Sequence, residues 1–429
     1  MEKGRIFRSK AGFLILGLVL GIGLIAGGWP SAARAQQFAG EIVIGDDEEF
    51  TGAYAATCYA QAKGAGDFWK YHNNQMTVGG KTYKVKHLLV DNKTDVSISV
   101  SNFNRFVAEK AVIVRTDWTP GMISMKPLAE KNLIPVFGGG FSKDAFFPPS
   151  KYLYGFQPSY PGALCAAVKW YKEKVWKGPG KMKVGLLLWD SAYGRSSHLD
   201  SVYDYLKQDL GVEVLPTQFF PVAGKDLTPQ LARFKEQGAN LIYQQALAAQ
   251  YSMMAKDAKR LQMTPQIALM ATFWSISDKY LELARDAAEG TYGIWQWYTE
   301  PAEDNSKYPE IQKLRNAMEK YQGNRYFDVN YFNGWVPHHI MKHALELTIK
   351  KYGYPITGEQ VAEIVSTMQA WDWGLSRSFS GYNGGDRLGW HEIRVYQVKN
   401  GKITVASDWQ PEPPEFLKRE PWVTGTEKK

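Results

Sequence analysis

Cysteine is scarce in this chain. Its 429 residues carry two, Cys58 and Cys165, so disulfides cannot be the scaffold and the fold must rest on hydrophobic cores. A strong charge of one sign is also lacking. The formal net charge is +8, and residues 1–35 supply half of it through Lys3, Arg5, Arg8, Lys10 and Arg34 against Glu2. The scattered remainder argues against nucleic acid as a partner. Catalytic signatures are missing too. Residues 138–140 are three glycines without the Lys and Ser/Thr that complete a phosphate-binding loop, and no Gly-x-Ser-x-Gly elbow occurs. His339 and His343 stand four apart with Glu346 nearby, but the His-Glu-x-x-His pattern of zinc proteases is absent, so a surface or packing role is expected. No acid, base or nucleophile converges with another, so neither an enzyme nor a cofactor or metal is expected.

One long apolar run is present. It covers residues 11–28, follows a cationic start and precedes Ala33-Arg34-Ala35, a small-x-small cleavage site. Residues 1–35 therefore read as a signal peptide, with cleavage after Ala35. The alternative is an uncleaved anchor, because the run approaches the length a bilayer needs. No cysteine follows it, so a lipid anchor is not expected. The remaining chain, about 400 residues within a sequence that is 45% apolar, suits two soluble domains.

From Glu41 onward short aliphatic runs alternate with amphipathic stretches, the pattern of βαβ units around parallel sheets. Strands are predicted at 41–45, 83–90, 111–114 and 133–137, with helices at 60–74, 97–109 and 123–131. Two prolines and two glycines break the periodicity at 155–162, a predicted crossover. The alternation restarts with helices at 163–175, 198–210 and 227–237 and strands at 182–188, 212–219 and 240–243. An aromatic strand at 291–298 leads to helices at 311–321 and 337–352. Residues 387–406 alternate like a hairpin turning at Asn400-Gly401.

Several segments, weak singly, occur in an order that resembles a known family. They are Phe50-Thr51-Gly52, then 126–131 leading to Ile134-Pro135-Val136, then Ala192-Tyr193-Gly194-Arg195, then 280–284 leading to 287–290, and finally 384–387 and 395–402. The chain resembles the extracytoplasmic solute-binding proteins of ABC transporters, in the branch of the leucine/isoleucine/valine receptors. The resemblance implies a type I periplasmic binding fold, with two Rossmann-like α/β lobes, a three-strand hinge and a ligand cleft between the lobes. Lobe 1 is expected to comprise 40–156 and 298–375, and lobe 2 157–297 and 376–410, followed by a tail over 411–429. It also implies a periplasmic monomer that hands a small molecule to a membrane permease.

In amino-acid receptors of that family a hydroxyl after the third strand and groups after the fourth hold the ligand carboxylate. The matching positions here are Thr119, Gly140 and Ser142. These residues also suit a helix cap and a strand-to-loop turn. The acid that holds the α-ammonium in the second lobe is matched by Phe273, beside Trp274, where cation–π attraction offers only about 0.5–2 kcal/mol. The resemblance thus implies a cleft that keeps its carboxylate half and lacks its ammonium half. Tyr54, Trp118, Tyr193, Phe273 and Trp274 would supply flat walls, and Thr57 falls where the family often has a ligand-facing side chain. Asp46-Asp47-Glu48-Glu49 is expected to be a solvated rim, since four adjacent acids resist burial, with Glu48 or Glu49 as the acid that would reach a ligand cation. Arg115 either neutralises this run or meets a ligand carboxylate. Cys58 and Cys165 are expected to be separate thiols, because a bond between them would lock the hinge.

The leading expectation is a receptor that delivers a small, aromatic organic carboxylate to an ABC importer. The alternatives are an amino-acid or short-amide receptor of the same family, and a sensing subunit that reports to a separate partner.

Overall fold

The computed structural model describes residues 37–296, 308–323, 329–375 and 379–425. The expected signal peptide and its cleavage site lie outside them. Phe38–Lys429 groups as one unit and Met1–Gln37 as another, and the larger unit carries the fold. Among the described residues no helix is long and apolar enough to cross a membrane.

The first lobe begins with β1 (Glu41–Glu48), α1 (Ala55–Tyr71), β2 (Gln75–Val78), β3 (Lys81–Asp91) and α2 (Val96–Ala108). It continues with β4 (Ile113–Thr116), α3 (Thr119–Asn132), β5 (Val136–Gly138), α4 (Lys143–Phe146) and β6 (Leu153–Tyr154). The strand order is β2-β3-β1-β4-β5-β6, parallel except for β2. That edge strand, not predicted from sequence, is turned onto β3 by Gly79 and Gly80, both with positive φ, as a two-residue hairpin loop requires. β1 sits between β3 and β4. The chain progresses outward in both directions from there, and open sheets leave a crevice at such a switch point.

The second lobe runs through α5 (Tyr160–Trp170), β7 (Lys183–Trp189), α6 (Ala192–Arg195), α7 (Asp200–Asp204), β8 (Glu213–Val214) and β9 (Gln218–Phe220). Then come α8 (Thr228–Glu236), β10 (Leu241–Gln245), α9 (Ala248–Arg260), β11 (Ala268–Ala271), α10 (Asp278–Ala284) and β12 (Tyr292–Trp295). The single strand predicted over 212–219 is two short ones, because Pro216 has no N–H for a ladder. The helices predicted at 163–175 and 198–210 end in wider π-helical turns at Tyr171–Val175 and Tyr205–Asp209.

After β12 come α11 (Pro309–Gln322), α12 (Val329–Tyr352) and α13 (Gly358–Ser366), the first two of which pack on α1. Then β13 (Glu392–Lys399) and β14 (Lys402–Val405) extend the second sheet through the expected Asn400-Gly401 turn. β15 (Gln410–Pro411) and α14 (Pro414–Arg419) complete the described chain. The second sheet reads β14-β13-β12-β11-β10-β7-β8, with β9 beside β7 and β15 beside β13. The fold is therefore α/β with parallel sheets in two lobes.

Pro337 does not start α12, as its sequence position suggested, but lies inside it. It has no N–H to offer the carbonyl of Asn333, four residues earlier. That carbonyl instead accepts from the Arg115 guanidinium at 3.0 Å.

Near the crossovers, Gly155 N–H donates to Arg387 O at 2.6 Å, and the His391 ring meets Asp386 at 2.8 Å and Glu412 at 2.7 Å. Both ring nitrogens face carboxylates, so His391 is held as a cation. Burial opposes that charge, but the two acids push its pKa well above the usual histidine value.

α1 and α12 cross backbone to backbone. A Cβ on Gly64 would stand 2.1 Å from Tyr331 O, and one on Gly334 would stand 1.8 Å from Gln61 O. Gly334→Ala is therefore expected to force the helices apart and to lower stability by about 1–3 kcal/mol, read as a fall in the urea midpoint. An unchanged midpoint would mean that the crossing is loose.

Candidate ligand cleft

The carboxyl ends of the two sheets face each other across one small cavity. From α1 it is lined by Tyr54 at the helix start and by Cys58 and Gln61, and from the end of β4 by Asp117, Trp118 and Thr119. Tyr160 enters from the start of α5, Tyr193 from the short α6 after β7, and Leu247 and Trp274 from loops after β10 and β11. The cavity measures about 20 Å³, room for roughly one water. The lobes are closed on each other: Tyr54 of the first packs at 5.0 Å against Trp189 of the second.

Rings dominate the walls. Tyr54 meets Trp118 edge-on at 5.9 Å, and Tyr160 meets Tyr193 at 4.9 Å. The Tyr193 hydroxyl donates to Ala246 O and Phe273 O at 3.0 and 3.1 Å, so its polar end is occupied and its ring is what it presents. The Tyr160 hydroxyl accepts from Trp274 Nε1 at 3.3 Å and from Gly140 N–H at 3.4 Å, linking both lobes. Trp274 holds φ at +74°, a strained conformation for a bulky residue that its packing must enforce.

Of the nine residues expected in the cleft, five line this cavity: Tyr54, Trp118, Thr119, Tyr193 and Trp274. Four do not. Ser142 caps α4 by accepting from Ala145 N–H at 3.4 Å. Gly140, at φ +86°, lets its loop pass Thr119, where a Cβ would stand 2.9 Å from that residue's Cα. Thr57 is buried in α1 and does not line the cavity, and Phe273 is fully buried, 6.4 Å from Tyr160. Sequence reasoning missed Cys58, Gln61, Asp117, Tyr160 and Leu247 as lining residues. Asp117 directly precedes Trp118 and Thr119, the two residues singled out, and that proximity was its only signal.

The acidic run is corrected. Asp46, Asp47, Glu48 and Glu49 are each 0% exposed, not a solvated rim. β1 is flanked on both sides, so its last residues have no route to water, and alternation sends them to opposite faces. On one face Arg115 Nη1 pairs with Asp46 Oδ1 at 3.2 Å and with Glu48, while Nη2 pairs with Asp117 Oδ2 at 2.7 Å. Arg115 thus neutralises the acids and does not line the cavity. On the other face Asp47 accepts from Asn92, Ser99, Asn102 and Thr116 at 2.7–3.0 Å. Asn92 also reaches Glu49 at 2.9 Å.

Burial raises the carboxyls of Asp46, Asp47, Glu49 and Asp117, and neighbours decide what survives. For Asp46 the penalty is outweighed by His338, Arg115 and the ring donors, and its pKa lies well below the usual range. Burial, with Asp117 and Asp47 adding repulsion, pushes Glu49 well above it. Asp117 is pushed up to about 6, by burial first, with Arg115 opposing and Asp46 adding repulsion.

Asp46, His87 and His338 bring three possible metal-ligating atoms together. Trp69 Nε1 donates to His338 Nδ1 at 3.0 Å, so the proton of this neutral ring, whose pKa burial lowers to about 4, sits on Nε2 facing Asp46. No lone pair is left there for a metal. His339 lies 3.4 Å from Glu310, and His343 stacks on Trp371 at 4.5 Å, as a packing role requires. Cys58 and Cys165 are both buried and free.

Two facing α/β lobes with a ring-lined cleft at their strand ends define a solute-binding protein. The family model described as "Periplasmic binding protein" matches residues 41–402, and the chain belongs to that family. It is thus a ligand-binding protein by family. No curated protein matches it by sequence. Among solved structures it is similar to a branched-chain amino acid ABC transporter protein from Thermus thermophilus with bound valine. The TM-score is 0.79 and the identity 21%, covering 88% of this chain and 98% of that one. A fatty acid ABC transporter substrate-binding protein from Thermomonospora curvata gives 0.75 and 18%, covering 89% and 95%. A leucine-binding protein from Thermotoga maritima gives 0.69 and 16%, covering 86% and 99%. At these identities the likeness shows the fold.

Two outcomes check the charge network. Arg115→Met strands buried carboxylates and is expected to cost about 3–5 kcal/mol in denaturant unfolding. For Asp117 the folded pKa lies above the unfolded one, so its ionisation weakens the fold as pH rises through 4 to 6. Asp117→Asn should therefore gain stability relative to the natural protein between pH 4 and pH 7. A difference independent of pH would show that this carboxyl is not held in a dry wall.

Proposed function

We propose that the protein is the periplasmic receptor of an ABC importer and carries a small ligand with a flat, aromatic body between its lobes to a membrane permease. One observation carries this reading: Tyr54 and Trp118 from the first lobe, Tyr193 and Trp274 from the second, and Tyr160 between them enclose a single cavity. Stacked rings add about 0.5–1.5 kcal/mol per pair beyond area burial. A cavity this small admits such a body only after the lobes hinge apart, so binding and closure are one event, and closure is what a permease would read. In this reading residues 1–35 are the removed signal peptide, and the lobes comprise 40–156 with 298–375, and 157–297 with 376–410.

A carboxylate on the ligand is received by Thr119 and by the first turn of α3, whose N-cap residue Trp118 gives it no side-chain cap. That two structural neighbours are described as binding valine and as a fatty acid carrier, both ligands with a carboxylate, supports this end of the reading. An amino acid or short amide is the second reading. Asp117 in the wall favours it.

A thermal-shift screen of the purified protein against aromatic carboxylates, aliphatic carboxylates, amino acids and amides tests the reading, because a ligand bound only by the folded state raises the melting temperature. Aromatic compounds are expected to stabilise most. Thr119→Ala should weaken carboxylate binding by about 1–3 kcal/mol in calorimetry, and no loss would remove Thr119 from the site.

A further inference from the structure

We propose that the inner end of the cleft is a subsite for an organic ammonium ion, with Asp117 as its counter-ion, Gln61 as a second acceptor and ring faces around it. The inference rests on the cleft being the ligand site and adds the charge of the ligand. It differs from what the family resemblance implied, which was an acid on the second lobe after β11. Phe273 and Trp274 stand there instead, and the acids lie on the first lobe.

Negative charge outnumbers its partners at this end of the cleft. Asp46, Asp47, Glu48, Glu49 and Asp117 are buried together at the ends of β1 and β4, and the guanidinium among them is that of Arg115. Arg115 takes Asp46, Glu48 and one oxygen of Asp117, and four neutral donors take Asp47. Glu48 Oε2, Glu49 Oε2 and Asp117 Oδ1 are left buried with no hydrogen-bond partner among the described residues, and of these three acids Asp117 lines the cavity. Buried polar atoms are rarely left so without a reason.

A neutral side chain, independent of the acids, makes the same demand. Gln61 lines the same cavity, is 1% exposed, and its Oε1 also lacks a partner. An unpartnered amide oxygen and an unpartnered carboxylate oxygen both ask for a donor, and a carboxylate ligand would bring more acceptors. The rings point the same way, since aromatic faces attract cations. A metal ion fits poorly, because calcium or magnesium needs six or more oxygen ligands and this wall offers few.

Protons replace the cation when none is bound. Glu49 faces Asp47, Asp117, Asn92 and Cys58, and Asp117 faces Arg115, Asp46, Glu49, Cys58 and Tyr160. In that company burial and the neighbouring acids push Glu49 toward its protonated form, and Asp117 holds a proton up to about pH 6. An arriving ammonium ion favours the ionised carboxylate, so binding releases a proton below that pH and tightens as pH rises through it.

The test is calorimetric titration of the purified protein with benzylamine, benzyltrimethylammonium, phenylacetate and phenylalanine at pH 5 and pH 8. The amines are expected to bind about tenfold more tightly at pH 8 than at pH 5, and phenylacetate more tightly at pH 5, as one proton on a group titrating near 6 requires. Asp117→Asn should abolish that pH dependence and weaken the amines about tenfold or more. Gln61→Leu, which leaves the Arg115 network intact, should weaken benzylamine several-fold and keep the pH dependence. Phenylacetate binding with no amine binding, or amine affinity unchanged by pH and by Asp117→Asn, would overturn the subsite and leave the carrier reading standing. Failure of every aromatic probe on folded protein would overturn both.

Discussion

The structure turns on one guanidinium. Arg115 joins the end of β1, through Asp46 and Glu48, to the end of β4, through Asp117, and reaches α12 at the Asn333 carbonyl that Pro337 cannot satisfy. In water such pairs contribute little, but in a dry interior removing one partner leaves charges with nowhere to go. The arginine therefore decides where these elements meet. It also decides that an acid, held at the margin of ionisation, stands in the wall of the cleft.

That margin gives the cleft its chemical character. Rings from both lobes exclude water, and exclusion of water strengthens any charge interaction that remains. Asp117 has one oxygen committed to Arg115 and the other uncommitted, so the wall is a poor host for a bare anion and a good one for a donor. Thr119 and the start of α3 lie beside it and supply the opposite polarity. The two kinds of group sit almost side by side in the chain because β4 ends and α3 begins at the same point of the switch crevice.

Much of this was legible in the sequence, and what was not has physical causes. Strands β1, β3, β7 and β10 showed themselves as aliphatic runs, and the β13–β14 hairpin as Asn400-Gly401. β2 escaped notice because its alternation, Gln75-Met76-Thr77-Val78, is only four residues long and follows a helix directly. The run Asp46–Glu49 read as solvated because burial depends on Arg115 and on two flanking strands, and local sequence carries neither. Within the cleft, Tyr54, Trp118, Thr119, Tyr193 and Trp274 could be counted from family-like segments. Tyr160 and Gln61 could not, since a crossover and a helix face obey no strand-end count. Phe273 shows the sensitivity of such counting: its neighbour Trp274 lines the cavity and Phe273 does not.

The most direct measurement is a carbon-13 titration of the Asp117 carboxyl in the ligand-free protein, assigned by its loss in the Asn variant. A midpoint near 6 is predicted, the balance of burial against Arg115 in a dry wall. A midpoint at or below about 4, the range of a hydrated or fully paired carboxylate, would contradict the account, because the cleft would then hold an ordinary salt bridge and no uncommitted acid.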